Sequence, residues 1–197
     1  MTGVQTCALP ISETLPFDFR NLQTTISGYV TELITLTDEM RENTLVENKL
    51  INEKYYTIAN RVNAPLLPPV AKTEVPFLNF SSLQNAVDIL AKTTARLNDA
   101  VNKKDMADVN RNDLNKKLYK AEQELLTKEG LPRRKWYRNV ISAPGFYTGY
   151  SVKTLPGIRE AIEQRNWKEA QEQIEIAAST INKLSAYFDA AAEESTK

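Results

Sequence analysis

Apolar residues recur at alternating steps of three and four along most of this chain, the spacing that places them on one stripe of an α-helix. Leu22, Ile26, Tyr29, Leu33, Leu36 and Met40 form the first stripe, with Asp18 as its candidate N-cap. Leu83, Ala86, Val87, Leu90, Thr94, Leu97 and Val101 form the second from about Ser82, with Ser81 and Gln84 spaced as a capping box. A third runs through Leu114, Leu118, Ala121 and Leu125, and the polar stretch Asn102 to Asp108 before it predicts a turn that sends it back antiparallel. The last helical region begins near Thr154, tolerates Pro156 in its first turn and carries Ile158, Ala161 and Ile162. Its phase resets near Arg165 and Asn166, and Trp167, Ala170, Ile174, Ala177, Ile181, Leu184 and Phe188 continue it, which reads as one long helix with a break. No period-two segment is long enough to compete as a sheet, so the expected fold is an all-α four-helix bundle.

Two irregular segments interrupt this scheme. Residues Asn60 to Asn79 contain Pro65, Pro68, Pro69 and Pro76, which forbid a continuous helix and favour an extended strap along the bundle. The second, Gly130 to Thr154, holds Trp136, Tyr137, Phe146, Tyr147 and Tyr150 among prolines and glycines. Unstructured loops this long are uncommon inside compact domains and are usually functional or disordered. Aromatic content at this density argues against disorder, so the loop is expected to be ordered and to touch something. The tail from Ala190 to Lys197 is expected to fray.

Composition narrows the chemistry. Lys plus Arg and Asp plus Glu both total 25, so the net charge is zero and gives no footprint for nucleic acid or an anionic membrane. No apolar run is long enough for a transmembrane helix. Met1 to Ser12 lack the basic and apolar regions of a secretory signal. A widely used sequencing-adapter oligonucleotide, translated in frame, encodes TGVQTCALPI, so residues 1–12 are expected to be a disordered assembly artefact. The domain is then expected over residues 13–197, with the gene continuing upstream. That removes Cys7, the one cysteine, and the chain has no histidine. Imidazole bases, thiolate nucleophiles and the usual zinc sites are thereby excluded, and no cofactor is expected in this chain.

The basic run Arg133, Arg134, Lys135 and Arg138, interleaved with Trp136 and Tyr137, could serve single-stranded nucleic acid by stacking and phosphate contacts. Acidic flanks and zero net charge favour solvated or intramolecular ion-pairing roles instead. Glu122, Glu124, Glu160, Glu163, Glu169, Glu172 and Glu175 alternate with Lys and Arg at helical spacing and are expected to form a solvated face. Trp167, Tyr187 and Phe188 are either core or part of a subunit contact.

The segment GLPRRKWYRNVISAPGFYTGYSVKTLPGIREAIEQRNW, Gly130 to Trp167, resembles the C-terminal transferrin-receptor-like dimerisation domain of the glutamate carboxypeptidase II family of zinc peptidases, and most of all its bacterial members. The similarity extends from Thr14-Leu15-Pro16-Phe17-Asp18 through Val75 to Leu83 to the last helix. The resemblance implies a helical domain that forms a homodimer and closes one side of the active-site cleft of a peptidase domain. Zinc and its ligands would lie in that other domain, and the parent would be exported or a membrane-anchored ectodomain. Trp136, Tyr137, Phe146 and Tyr147 become candidates for these contacts. In the family, the loop matching Ala143 to Pro156 carries a Lys-Tyr pair that binds the substrate's C-terminal glutamate. Here the Tyr falls on Tyr150 and the Lys on Gly149, so glutamate specificity is in doubt, and Lys153 is a weaker candidate for the missing charge. Tyr150 either points into the cleft or packs on the bundle with its hydroxyl on backbone. The competing assignment is a non-catalytic receptor ectodomain module of transferrin-receptor type, distinguished by whether the upstream sequence carries zinc ligands.

Overall fold

A computed structural model describes Leu15 and residues 17–58, 67–102 and 108–194. It is mainly helical. The elements are α1 (Phe19–Asn52), a single turn α2 (Tyr55–Ile58), α3 (Ser81–Val101), α4 (Asp108–Lys120) with a 3₁₀ turn (Ala121–Leu125), the strands β1 (Ser142–Pro144) and β2 (Val152–Thr154), α5 (Pro156–Glu163) and α6 (Trp167–Glu194). Residues 1–12, the first part of the strap with Pro65, and most of the turn after Asn102 lie outside the described residues.

Helix α6 is the element on which α3, α5 and α4 with its 3₁₀ turn pack, while α1 packs mainly on α3. Its buried face is Ala170, Ile174, Ala177, Ala178, Ile181, Leu184, Ser185, Phe188 and Ala191, and its broadest contact is with α3. Side-chain pairs give the directions. Ser82 Oγ donates to Glu175 at 2.9 Å and Arg96 meets Asp189 at 3.0 Å, so α3 runs parallel to α6. The Phe19 and Phe188 rings lie 4.6 Å apart and Arg165 Nη2 donates to Thr44 Oγ1 at 2.7 Å, so α1 runs against it. Tyr187 Oη donates to the Lys117 carbonyl at 3.0 Å and Lys183 meets Glu124 at 2.9 Å, so α4 and its 3₁₀ turn also run against it. Helix α4 is therefore antiparallel to α3, as the turn at Asn102 to Asp108 predicts.

The stripes hold with instructive differences. Asp18 is the N-cap of α1, accepting from Arg20 N–H at 3.0 Å, and the Arg20 guanidinium holds its carboxyl below the ordinary carboxylate range. The buried face of α1, however, is Ile26, Val30, Leu33, Thr37 and Thr44, while Leu22, Tyr29, Leu36 and Met40 are half-buried flanks. Two threonines can lie in the interior because each hydroxyl donates back along the helix, Thr37 to the Leu33 carbonyl at 2.8 Å and Thr44 to that of Met40 at 2.6 Å. Helix α1 also continues twelve residues past the end of its apolar stripe at Met40, to Asn52.

Ser81 and Gln84 do not form a capping box. Phe80 occupies the N-cap position without a side-chain bond, and the Asn79 carboxamide accepts from Ser81 N–H at 3.0 Å. Leu114, Leu118, Ala121 and Leu125 are buried as expected, although the helix tightens to 3₁₀ geometry at Ala121. The last helix breaks at Arg165, whose φ is +57°, and Asn166 then caps α6 by accepting from Glu169 N–H at 3.3 Å. The tail does not fray from Ala190: α6 runs to Glu194, Ala191 is buried, and Lys117 pairs with Glu194.

The strap lies along α1. Asn48 clasps the backbone of Lys72 from both sides, donating to its carbonyl at 2.7 Å and accepting from its N–H at 2.9 Å. Arg41 donates to the carbonyls of Val75 at 3.2 Å and Pro76 at 3.0 Å and lies over the Phe77 ring. Gln171 of α6 does the same for Asn79, accepting at 2.9 Å and donating at 3.1 Å.

Phe188, an interface candidate from the sequence, is wholly enclosed and belongs to this core. Phe188→Ala is expected to cost about 3–5 kcal/mol, measured as the shift in urea unfolding, and a loss below about 1 kcal/mol would show that the ring is not a core element.

Candidate functional site: the aromatic hairpin between the 3₁₀ turn and α5

The irregular segment from Thr127 to Leu155 is built in two storeys. In the lower one, Thr127 N–H donates to the Arg138 carbonyl at 2.9 Å, Val140 N–H to Leu125 at 3.2 Å, and Arg138 Nε to the Thr127 carbonyl at 2.7 Å. Leu131 to Tyr137 make a compact turn, with Leu131 N–H on the Tyr137 carbonyl at 2.7 Å and Tyr137 N–H on Arg134 at 3.0 Å. Gly130 is required there. Its φ is +68°, and a Cβ would collide with the Lys135 carbonyl.

The upper storey is a hairpin absent from the sequence-level expectation. β1 and β2 pair antiparallel with Ser142 opposite Thr154, Ala143 opposite Lys153 and Pro144 opposite Val152. Three-residue strands carry too little periodicity to register as a sheet. The tip, residues 145–151, is bonded internally: Gly145 N–H to the Ser151 carbonyl at 2.9 Å, Gly149 N–H to the Gly145 carbonyl at 3.0 Å, and the Thr148 and Ser151 hydroxyls together at 2.8 Å. Gly149 turns the chain at φ +68°.

The hairpin ends on an unusual residue. Leu155 sits in the left-handed region at φ 44° and ψ 56°, directly before Pro156, where a bulky side chain costs about 1–2 kcal/mol. It is held there because its side chain is buried, its N–H donates to the Ile141 carbonyl at 2.8 Å, and its carbonyl accepts the first bonds of α5 from Ile158 and Arg159 at 3.0 Å.

Beneath the tip lies a buried ion pair. Arg134 Nη2 donates to Glu160 Oε1 at 2.9 Å with the side chains 3% and 4% exposed. The same oxygen accepts from Phe146 N–H at 2.9 Å. Glu160 is thus no part of a solvated acidic face. Of its supposed companions, Glu169 binds Arg133 through both oxygens, at 2.8 and 3.0 Å, Glu163 binds Lys153 at 2.7 Å, and Glu124 binds Lys183. Of the basic run, Arg133 and Arg134 are thus ion-paired within the chain and Arg138 is bonded to the Thr127 carbonyl.

The structure gathers Trp136, Tyr137, Phe146, Tyr147 and Tyr150 on the outside of this unit. Trp136 and Tyr147 are 75% and 73% exposed, Tyr137 and Phe146 just over a third, and Tyr150 is fully exposed. Tyr150 therefore does not pack on the helices. Lys153 is tied to Glu163 rather than free beside it. Trp167, half-buried at the start of α6, lies at the same end, since Glu169 two residues on holds Arg133. Tyr187 and Phe188 sit roughly 30 Å further along α6 and are not part of the group. Sequence reasoning missed Arg134 and Glu160 as individuals. The available signal was a carboxylate set between Ile158 and the Ala161 and Ile162 positions of a short helix.

Residues 78–189, more than half of the chain, match the transferrin receptor-like dimerisation domain. The chain belongs to this family. It is 31% identical over 119 residues to a probable glutamate carboxypeptidase of Arthroderma benhamiae, covering 57% of this chain and 16% of that protein. It is 35% identical over 69 residues to a probable glutamate carboxypeptidase of Arabidopsis thaliana (32% and 10%), and 33% identical over 88 residues to a putative zinc metalloprotease of Saccharomyces cerevisiae (41% and 11%). The chain thus spans about a sixth or less of these relatives' lengths. The chain lacks histidine, and among the described residues no cluster of acidic or thiol groups could hold a metal ion. No described helix is long and apolar enough to cross a membrane.

Tyr187 has a perturbed phenol. Burial raises its phenol pKa above the ordinary 10.0, assisted by Glu124 and Glu194. Between the unfolded and the raised folded pKa only the unfolded chain sheds this proton, so stability falls as pH rises through that window. Tyr187→Phe should cost about 1 kcal/mol at neutral pH through the lost bond to Lys117, and its stability should decline less steeply than wild type above pH 10.0. Parallel slopes in alkaline urea titrations would refute this.

Proposed function

We propose that this chain is the homodimerisation and cleft-completing domain of a zinc-dependent exopeptidase of the glutamate carboxypeptidase kind. In this reading α1, α3, α4 with its 3₁₀ turn, and α6 form a four-helix bundle, and catalysis resides in a separate peptidase domain of the parent. The chain alone is then inactive. The domain family and the names of the relatives support the assignment, and the absence of histidine agrees with a zinc site held elsewhere.

One observation carries the site. Tyr150 is fully exposed on a tip whose backbone is internally bonded, and among the described residues its hydroxyl has no partner. A large amphipathic side chain held out from a shaped loop suits contact with another domain or a substrate. Tyr150 is assigned to donate a hydrogen bond to substrate in the cleft. Lys153, already neutralised by Glu163, is a poor substitute for a cation at Gly149, so strict preference for C-terminal glutamate is not expected. Trp136, Tyr137, Phe146 and Tyr147 are assigned to the peptidase-domain contact. Trp167 and Tyr187, both half-buried, contribute at most the rim of a subunit contact.

Tyr150→Phe in the full-length parent is expected to raise KM about tenfold with kcat within about twofold, as for a lost hydrogen bond to a charged group. Unchanged kinetics would remove Tyr150 from the substrate site.

A further inference from the structure

The internal bonds of the tip fix its shape but not its direction relative to the helices. Among the described residues, one hydrogen bond leaves residues 145–151 for an element outside the hairpin, that from Phe146 N–H to Glu160 Oε1. The Phe146 side chain is gripped as well, with the Arg134 and Arg133 guanidinium carbons 5.7 and 5.8 Å from its ring centroid. Backbone and ring of one residue are therefore both held by the buried pair and its neighbour.

The pair is a poor choice for stability alone. Apolar side chains of similar volume commonly match or exceed a buried ion pair, and Arg134 Nε and Nη1 are buried with no hydrogen-bond acceptor among the described residues. Unsatisfied buried donors are rare in native proteins and call for an explanation other than packing. What the pair supplies that apolar residues cannot is a fixed carboxylate oxygen at the Phe146 amide. Glu160 stands on α5, whose buried face includes Ile158, Ala161 and Ile162, so that oxygen is anchored to the core.

We propose that Glu160, oriented by Arg134, is a positioning residue that sets the direction of the hairpin tip and hence of Tyr150. Its consequence for substrate rests on the function proposed above, whereas the positioning itself does not.

Two double variants of the full chain separate positioning from stability, Arg134→Met with Glu160→Gln and Arg134→Met with Glu160→Leu. Both remove the buried charges, and only the first keeps an acceptor for the Phe146 amide. In amide exchange followed by NMR, α6 should be equally protected in both, while Phe146 exchanges about tenfold faster in the leucine variant, the scale of one lost hydrogen bond. The Gly149 and Tyr150 amide resonances should move in the leucine variant and stay near wild type in the glutamine variant. Equal Phe146 exchange in the two variants overturns the proposal. So does loss of α6 protection in either, which would make the pair a general stabiliser. If Phe146 responds as expected but Tyr150→Phe is silent in the parent, positioning stands and the substrate reading falls.

Discussion

The structure depends on burying one face of α6 from end to end. At 28 residues the helix is about 42 Å long, and its apolar stripe never lapses for more than a turn between Ala170 and Ala191. No single partner covers that whole face. Helix α3 takes the largest share, α5 folds back on the N-terminal part, and α4 with its 3₁₀ turn covers the C-terminal part. The alanines at 170, 177, 178 and 191 permit close approach, while Phe188 fills the wider space at the end nearest Phe19. Hydrophobic burial of this kind is non-directional, so it determines that these helices meet but not how the segments between them lie.

Direction comes from a small number of polar clasps. Asn48 and Gln171 each satisfy one donor and one acceptor of an irregular backbone that no strand or helix would satisfy. Arg165 joins three elements, donating to the Thr73 carbonyl of the strap and to Thr44 of α1 from the break between α5 and α6. Glu160 does the equivalent for the hairpin. Each clasp reaches backbone outside the regular helices, so helices are held by area and loops by specific donors and acceptors. The two classes should fail independently, since removing a clasp leaves the α3–α6 contact intact.

This division explains what the sequence discloses. The apolar stripes of α3, α4 and α6 are legible because area burial leaves a three-and-four period in residue type. The extension of α1 from Met40 to Asn52 is not, because it is held by Arg41, Thr44 and Asn48, which look like solvent-facing residues. The start of α3 misleads for the same reason: Ser81 and Gln84 have the spacing of a capping box, yet Asn79 supplies the bond. The aromatic density of the loop discloses that it is ordered, but not which residue orders it. A glutamate at the edge of a helical stripe is ordinarily a surface charge, and only its tertiary meeting with Arg134 makes it otherwise.

Strain points to the same place. Leu155, left-handed before a proline, and Arg133, at φ +63°, bracket the aromatic unit, and both are non-glycine residues in a region that costs free energy. Such conformations persist only where the surroundings over-determine them. Leu155 is over-determined by burial and three backbone bonds, Arg133 by two bonds to Glu169 and by the Phe146 ring. The folded chain therefore spends stability on the geometry of a surface that leaves Trp136, Tyr147 and Tyr150 open to solvent. Burying those rings would stabilise the fold more, so the strain serves their presentation at the surface rather than the packing of the core.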